Sequence, residues 1–281
     1  MIGLTNTQIL NHKEGRLGNQ LFRVATIIGE SEKKNIDYFI PKEWEHVEKF
    51  PNLKNVYSIS DINKNITNHY SEPKFGFNEI PYNGGLLSIH GYFQSYKFFE
   101  GVEDKIIDSF RFYSENIEMV KYNFNSGKKR LCVHVRHGDF YDRNTGGGHK
   151  GNENYHPVMT LKYYENALNF ILDRTKIDEI LVFTDHPETK DFIVNEFDKF
   201  NLPLVYFDYS DDYFSDFISQ TLCDHFIIPN STFSWWSSFL STKNDNKIVC
   251  CPNENDWLGV SYSNFDVSTL LPPSWFRIPQ N

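Results

Sequence analysis

Short apolar runs separated by amphipathic or capped segments give the second half of this chain its rhythm. The runs Arg130–Arg136, Glu179–Thr184, Leu204–Phe207, His225–Pro229 and Lys247–Cys251 are rich in Val, Ile, Leu and Phe and too short for helices, so they predict strands. Between them, Leu161–Arg174, Pro187–Phe200, Tyr213–Cys223 and Phe233–Ser241 carry helical periodicity or capping residues. This βαβαβαβαβ alternation predicts an α/β architecture: a doubly wound, Rossmann-like parallel sheet with ligands at the carboxyl ends of its strands. The first half is less regular. It predicts a helix at Asn19–Lys34, strands near Asp37–Ile40 and Leu86–His90, and a second helix near Ser95–Phe110. Between Trp44 and Gly85 periodicity fades and Asn, Lys and Pro accumulate, which reads as loops with short elements. The turn-rich NFNSGKK within Tyr122–Lys129 marks the expected boundary between a domain 1–125 and a domain 126–281, with the last residues packing back on the first domain.

Length and composition narrow the function classes. A chain of 281 residues holds about two domains, and 40% hydrophobic content with 25 Phe and 16 Tyr excludes a disordered chain. With 28 Lys and Arg against 37 Asp and Glu, the net charge is 28 − 37 = −9 and no basic stripe offsets it, which argues against a nucleic-acid partner. Cys132, Cys223, Cys250 and Cys251 form no CxxC pair, which fits a reducing compartment. No apolar run approaches the roughly 18 residues that span a bilayer, so the expectation is no transmembrane segment and a cytoplasmic protein, or one peripheral at the inner face of the cytoplasmic membrane.

Three stretches carry candidate chemistry. In RLCVHVRHGDF (130–140), strand alternation puts His134 and Arg136 on one face, opposite Val133 and Val135. A guanidinium at a carboxyl strand end can grip a pyrophosphate bidentately and stabilise a departing nucleoside diphosphate. The plain alternatives are an Arg136–Asp139 pair and a core histidine at His134. In FIIPNSTFSWWSSFLS (226–241), a strand runs through Asn230, Ser231 and Thr232, all N-cap candidates, into a helix whose free N–H groups and dipole suit a phosphate. Ordinary capping ahead of a buried Trp235–Trp236 pair is the alternative. In GRLGNQLF (15–22), Gly15 and Gly18 permit close backbone approach while Asn19 and Gln20 can bond sugar hydroxyls, although the stretch is neither GxGxxG nor GxxxxGK[ST].

The span His137–Thr160 is long for a strand-to-helix connection and contains Gly146–Gly148, His149, Glu153 and His156. It reads as a lid or acceptor site, and as a metal site it lacks the HExxH spacing. Asp185 reads as a cap for the helix starting near Pro187. Asp216 suits the donors of a base edge, or is simply a solvated helical carboxylate.

Taken in order, GRLGNQLF (15–22), HGYFQSYKFF (90–99), VHVRHGD (133–139), YYENAL (163–168), LVFTDHPE (181–188) and NSTFSWWSSFL (230–240) resemble the alpha-1,2-fucosyltransferases of bacteria and animals, from Gly15 to about Pro252. The resemblance implies a GT-B-like fold of two Rossmann-like halves with a cleft between them. It implies GDP-β-L-fucose as donor, inverting transfer to the 2-hydroxyl of a galactoside, no cofactor and no obligatory metal. Domain 1–125 then becomes the acceptor side and domain 126–281 the nucleotide-sugar side. The partners are GDP-fucose and a galactose-containing oligosaccharide or lipid-linked glycan, such as an O-antigen repeat in surface glycan synthesis. The family motif HxRRxD reads here His134-Val135-Arg136-His137-Gly138-Asp139, so the second arginine is replaced by His137. By the resemblance Arg136 binds the pyrophosphate, Ser231, Thr232 and Ser234 meet the diphosphate, and Asp216 lies near guanine. His134, His137, Asn230, Gly18, Asn19 and Gln20 complete the expected donor-binding set. Asp139 is the first candidate for the base, with Asp142, Glu153 and His149 behind it. A transferase of the same architecture using another nucleotide sugar, and a non-catalytic sugar-binding protein, are the alternatives.

Overall fold

The computed structural model describes residues 1–4, 15–62, 65–118, 120, 122, 124–136, 154–185, 197–207 and 212–281. The chain divides into two compact units: Met1–Glu115 with Phe265–Pro272, and Asn116–Asn264 with Pro273–Asn281.

The first unit is built on a parallel sheet in the order β3-β2-β1-β5-β4, from β1 (Ile2–Gly3), β2 (Tyr38–Pro41), β3 (Val56–Tyr57), β4 (Asn68–Ser71) and β5 (Leu87–His90). Helix α1 (Leu17–Lys34) follows β1 and is buried along most of its length. It stops at Asn35, whose left-handed φ of 51° lets its N–H return to the carbonyls of Ser31 and Glu32, and Lys33 and Lys34 sit favourably at the negative end of the helix dipole. Gly29 is required by packing: a Cβ there would lie 2.4 Å from the Phe98 carbonyl oxygen. The expected helix at Ser95–Phe110 is instead a 3₁₀ turn, Tyr96–Phe98, and a separate helix α2 (Glu103–Ser109). Gly101, at φ +84°, breaks the helical path between them. Strands β1, β3 and β4 escape the periodicity reading because two residues show no period and Asn-His-Tyr-Ser shows no apolar face. The segment Phe265–Pro272 belongs to this unit, where Phe265 stacks on Phe75 at 4.9 Å and the Thr269 carbonyl accepts from Ser95 Oγ at 3.0 Å.

The second unit carries a parallel sheet in the order β11-β10-β9-β6-β7-β8, from β6 (Arg130–Val135), β7 (Glu179–Thr184), β8 (Leu204–Phe207), β9 (His225–Ile227), β10 (Val249–Pro252) and β11 (Phe276–Ile278). Relabelled from its first strand, this is the 3-2-1-4-5-6 order of a dinucleotide-binding sheet, and the strand order reverses between β6 and β9. One face holds Leu131, Val133 and Val135 against α3 (Leu161–Leu172), with Tyr163, Tyr164, Ala167, Leu168 and Ile171 in the shared core. The opposite face holds Cys132 and His134 on the side of α4 (Tyr213–Thr221) and α5 (Thr232–Leu240), where Phe233 lies 6.0 Å from the His134 ring. The expected strands and helices of this half all occur with ends shifted by a few residues, except that most of Pro187–Phe200 lies outside the described residues.

The amino end of the same sheet is closed by charge. Arg130, 1% exposed, donates from Nε to Glu179 at 2.7 Å and from Nη1 to the Phe124 carbonyl at 2.9 Å, and Tyr122 and Lys128 complete the coordination of Glu179 at 2.6 and 2.7 Å. The four cysteines are buried thiols. Among the described residues no helix is long and apolar enough to cross a membrane.

Candidate functional site

Strands β6 and β7 pair in register from Arg130↔Glu179 to Val135↔Thr184, so the next residues, Arg136 and Asp185, leave the sheet side by side. The Arg136 Nη1 donates to the Asp185 carboxylate. At 16% and 23% side-chain exposure, the pair is desolvated enough to be held and open enough to meet a ligand. Motif reasoning missed this partnership, giving Asp185 to a helix cap and Asp139 to Arg136. The signal was present in the sequence: VHVR and LVFTD end adjacent strands of a predicted parallel sheet. Asp139 and His137, together with Asp142, His149 and Glu153, lie outside the described residues.

On the other side of β6, the chain leaves β9 through Pro229-Asn230-Ser231 into α5. Ser231 is the N-cap, with extended backbone (φ −129°, ψ 122°), yet its hydroxyl makes no capping bond, and the first intrahelical bond is Trp235 N–H to the Ser231 carbonyl at 2.9 Å. The first-turn N–H groups therefore present the positive dipole end at the sheet's carboxyl edge without a Ser231 cap. Thr232 and Ser231 are half-exposed. Ser234 is buried and its hydroxyl donates back to the Ser231 carbonyl at 3.4 Å. Asn230 is buried too, and its Nδ2 donates to the carbonyls of Pro157 at 2.9 Å and Trp257 at 3.1 Å, tying two loops to the exit of β9. At the far end of α5, Lys247 Nζ donates to the carbonyls of Ser238, Phe239 and Ser241 at 2.7, 3.0 and 2.6 Å, which fixes the helix axis.

His134 shares the face of Arg136 and is 5% exposed. Burial pulls its pKa down to about 4, with the Asp185 charge opposing and the Arg136 charge assisting, so the ring is neutral near pH 7. Its Nδ1 is buried and has no hydrogen-bond partner among the described residues. Asp216 lies in the first turn of α4 on this same face, where burial pushes the Cys132 thiol up and Cys223 and Asp216 add to the rise.

Gly18, Asn19 and Gln20 lie in the first unit, at the start of α1. The buried Gln20 accepts from Trp44 Nε1 at 2.9 Å and donates to the Gly15 carbonyl at 3.2 Å, while Asn19 Oδ1 accepts from Gln94 Nε2 at 3.1 Å. One turn on, fully buried Arg23 donates to the Gly91 carbonyl at 2.8 Å and its guanidinium lies 5.4 Å from the Tyr92 ring. Glu72 accepts from the N–H groups of Tyr92 at 2.7 Å and Phe93 at 3.3 Å. Burial raises its pKa against those bonds and the Arg23 charge. The two amino-terminal motifs thus meet in one buried polar network, in which Arg23 and Glu72 escaped the sequence reading because their roles depend on contacts distant in sequence. Among the described residues no group of His, Cys, Asp or Glu is placed to hold a metal ion.

A family model described as Glycosyl transferase family 11 matches residues 6–257. The chain is 27% identical over 198 residues to the O-antigen biosynthesis glycosyltransferase WbnK of Escherichia coli, a match covering 68% of this chain and 60% of that relative. It is 24% identical over 295 residues to a galactoside 2-alpha-L-fucosyltransferase of Caenorhabditis elegans, covering 93% and 76%. Among solved structures, a mutant of Arabidopsis thaliana FUT1 in complex with GDP superposes with a TM-score of 0.53 at 8% identity over 92% of this chain and 72% of that one. POFUT1 in complex with GDP gives 0.52 at 12% identity over 89% and 97%. The two α/β units with parallel sheets are GT-B-like.

Proposed function

Because the chain belongs to glycosyl transferase family 11, we propose that it moves L-fucose from GDP-β-L-fucose to the 2-hydroxyl of a galactoside, inverting the anomeric centre, in the synthesis of a surface glycan. The names of the E. coli and C. elegans relatives support this reading. The observation that carries it is that Arg136, held by Asp185, and the start of α5 follow the neighbouring parallel strands β6 and β9, at the carboxyl edge where the strand order reverses.

In this reaction the acceptor oxygen forms a bond to the anomeric carbon as the bond to the β-phosphate oxygen breaks, and GDP departs with the electron pair. Negative charge grows on the diphosphate. A guanidinium has five N–H donors in a planar fork, so one carboxylate does not exhaust Arg136. The dipole end of α5 adds roughly half a positive charge, with the Ser231 and Thr232 hydroxyls as further donors. A neutral His134 leaves the charge balance to these two features. The hydroxyl's proton passes to a base, for which Asp139 is the first candidate.

Incubation with GDP-fucose and a small panel of β-galactosides, with the product linkage read by NMR, tests the proposal. An α-1,2-linked fucosyl galactoside is expected, and release of GDP without a fucosylated product, or a different linkage, overturns it. The second reading, another nucleotide sugar, is favoured by His137 in place of the second motif arginine. It predicts that UDP or CMP raises the melting temperature more than GDP does.

A further inference from the structure

The loops that Asn230 ties together carry a cluster of aromatic side chains that the donor chemistry does not use. Tyr155 and Tyr262 meet edge to face, centroids 5.2 Å apart at 67°, and His156 lies 5.8 Å from Tyr262. The backbone fixes this pairing: Gly259 N–H donates to the Tyr155 carbonyl at 2.8 Å, and Asn230 holds Pro157 on one loop and Trp257 on the other. Tyr155 is nevertheless 44% exposed, and neighbouring Val260 is 76% exposed. A rigidly placed aromatic group left open to solvent at the edge that starts α5 calls for a ligand.

We propose that the exposed ring of Tyr155, braced edge to face by Tyr262 beside His156, is a stacking platform for a pyranose ring of the acceptor glycan. The inference rests on the fucosyl-transfer reading and adds where the acceptor is held. A galactopyranose has one face of C–H groups and a rim of hydroxyls, which matches an aromatic face bordered by phenolic hydroxyls and an imidazole. The rings of the patch carry polar tips, which suits a polyol better than an apolar protein surface. Its attachment to Asn230, the residue before the N-cap Ser231, places it beside the proposed leaving-group end.

The test uses the full chain with GDP and lactose. Lactose affinity is read by saturation-transfer NMR, and the GDP-induced melting shift is recorded for every variant. Tyr155→Ala and Tyr262→Ala are each expected to weaken lactose binding about three- to tenfold, the worth of one aromatic stacking contact, whereas Tyr155→Trp keeps it within about twofold. Equal lactose affinity in the parent and both alanine variants, with the GDP shift intact, overturns the platform and leaves the donor reading standing. Absence of a GDP shift in the parent overturns the donor reading instead. Absence of lactose binding in a parent that responds to GDP overturns the platform as assigned. A changed sedimentation coefficient for Tyr155→Ala with unchanged lactose affinity marks a protein interface and equally overturns it.

Discussion

Asp185 holds Arg136 at the carboxyl ends of two strands paired in strict register, so the carboxylate that follows β7 fixes the guanidinium that follows β6. Arg136→Ala is expected to lower kcat for GDP release with a galactoside acceptor by about 10²–10³, the loss seen when one preorganised donor to a developing charge is removed. Asp185→Ala leaves the guanidinium in place but unaimed, and a misplacement of about 1 Å costs about 10² in kcat/KM. Arg136→Lys recovers little, because an ammonium lacks the planar fork. Parental rates in Asp185→Ala would show that Arg136 needs no positioning partner.

Metal removal separates this mechanism from a cation-dependent one. On the proposal that Arg136 and the start of α5 carry the diphosphate charge, EDTA is expected to leave the initial rate within about twofold of the untreated protein. A loss that Mn²⁺ reverses would assign the leaving-group charge to a metal.

The buried imidazole of His134 ties stability to pH. Its folded pKa of about 4 lies below the unfolded value of about 6.5, so between these values the unfolded chain binds the proton and the folded chain does not. Stability therefore falls as pH drops from 6.5 towards 4, by about 3 kcal/mol in all. In urea titrations at pH 7, 5.5 and 4.5, His134→Gln is expected to show a shallower decline than the parent. Identical slopes would mean that His134 does not titrate in this window.

Arg130 and Glu179 form a buried pair at the opposite end of the same sheet. Arg130→Met should cost up to about 3–5 kcal/mol, because it takes the buried cation from the Glu179 carboxylate and leaves that charge to Tyr122 and the exposed Lys128, whereas Arg130→Met with Glu179→Leu should recover much of that loss. Chemical denaturation of the two variants measures the difference. A double variant no more stable than the single would show that Phe124, Tyr122 and Lys128 depend on the arginine for more than charge.

Much of the second unit could be read directly from the chain. Its strands are continuous apolar runs bounded by turn residues, and a parallel strand buried on both faces needs nothing else to identify it. Arg136 and the Asn230-Ser231 pair could be located for the same reason, since they stand where such runs end. The motif set likewise pointed to the alpha-1,2-fucosyltransferases, and the family match spans residues 6–257. Two-residue β1 and polar β4 were invisible because their identity comes from their neighbours in the sheet rather than from a period of their own.

The amino-acid sequence by itself determined which segments are apolar enough to be strands, where they end, and which polar groups stand at those ends, because burial and backbone conformation are set by nearby residues. Only the tertiary structure decided partners: Asp185 for Arg136, Glu72 for the Gly91–Phe93 turn, the Pro157 and Trp257 carbonyls for Asn230. Ion pairs and hydrogen bonds act over a few ångströms in space, and the register of a parallel sheet brings together residues that lie dozens of positions apart along the chain.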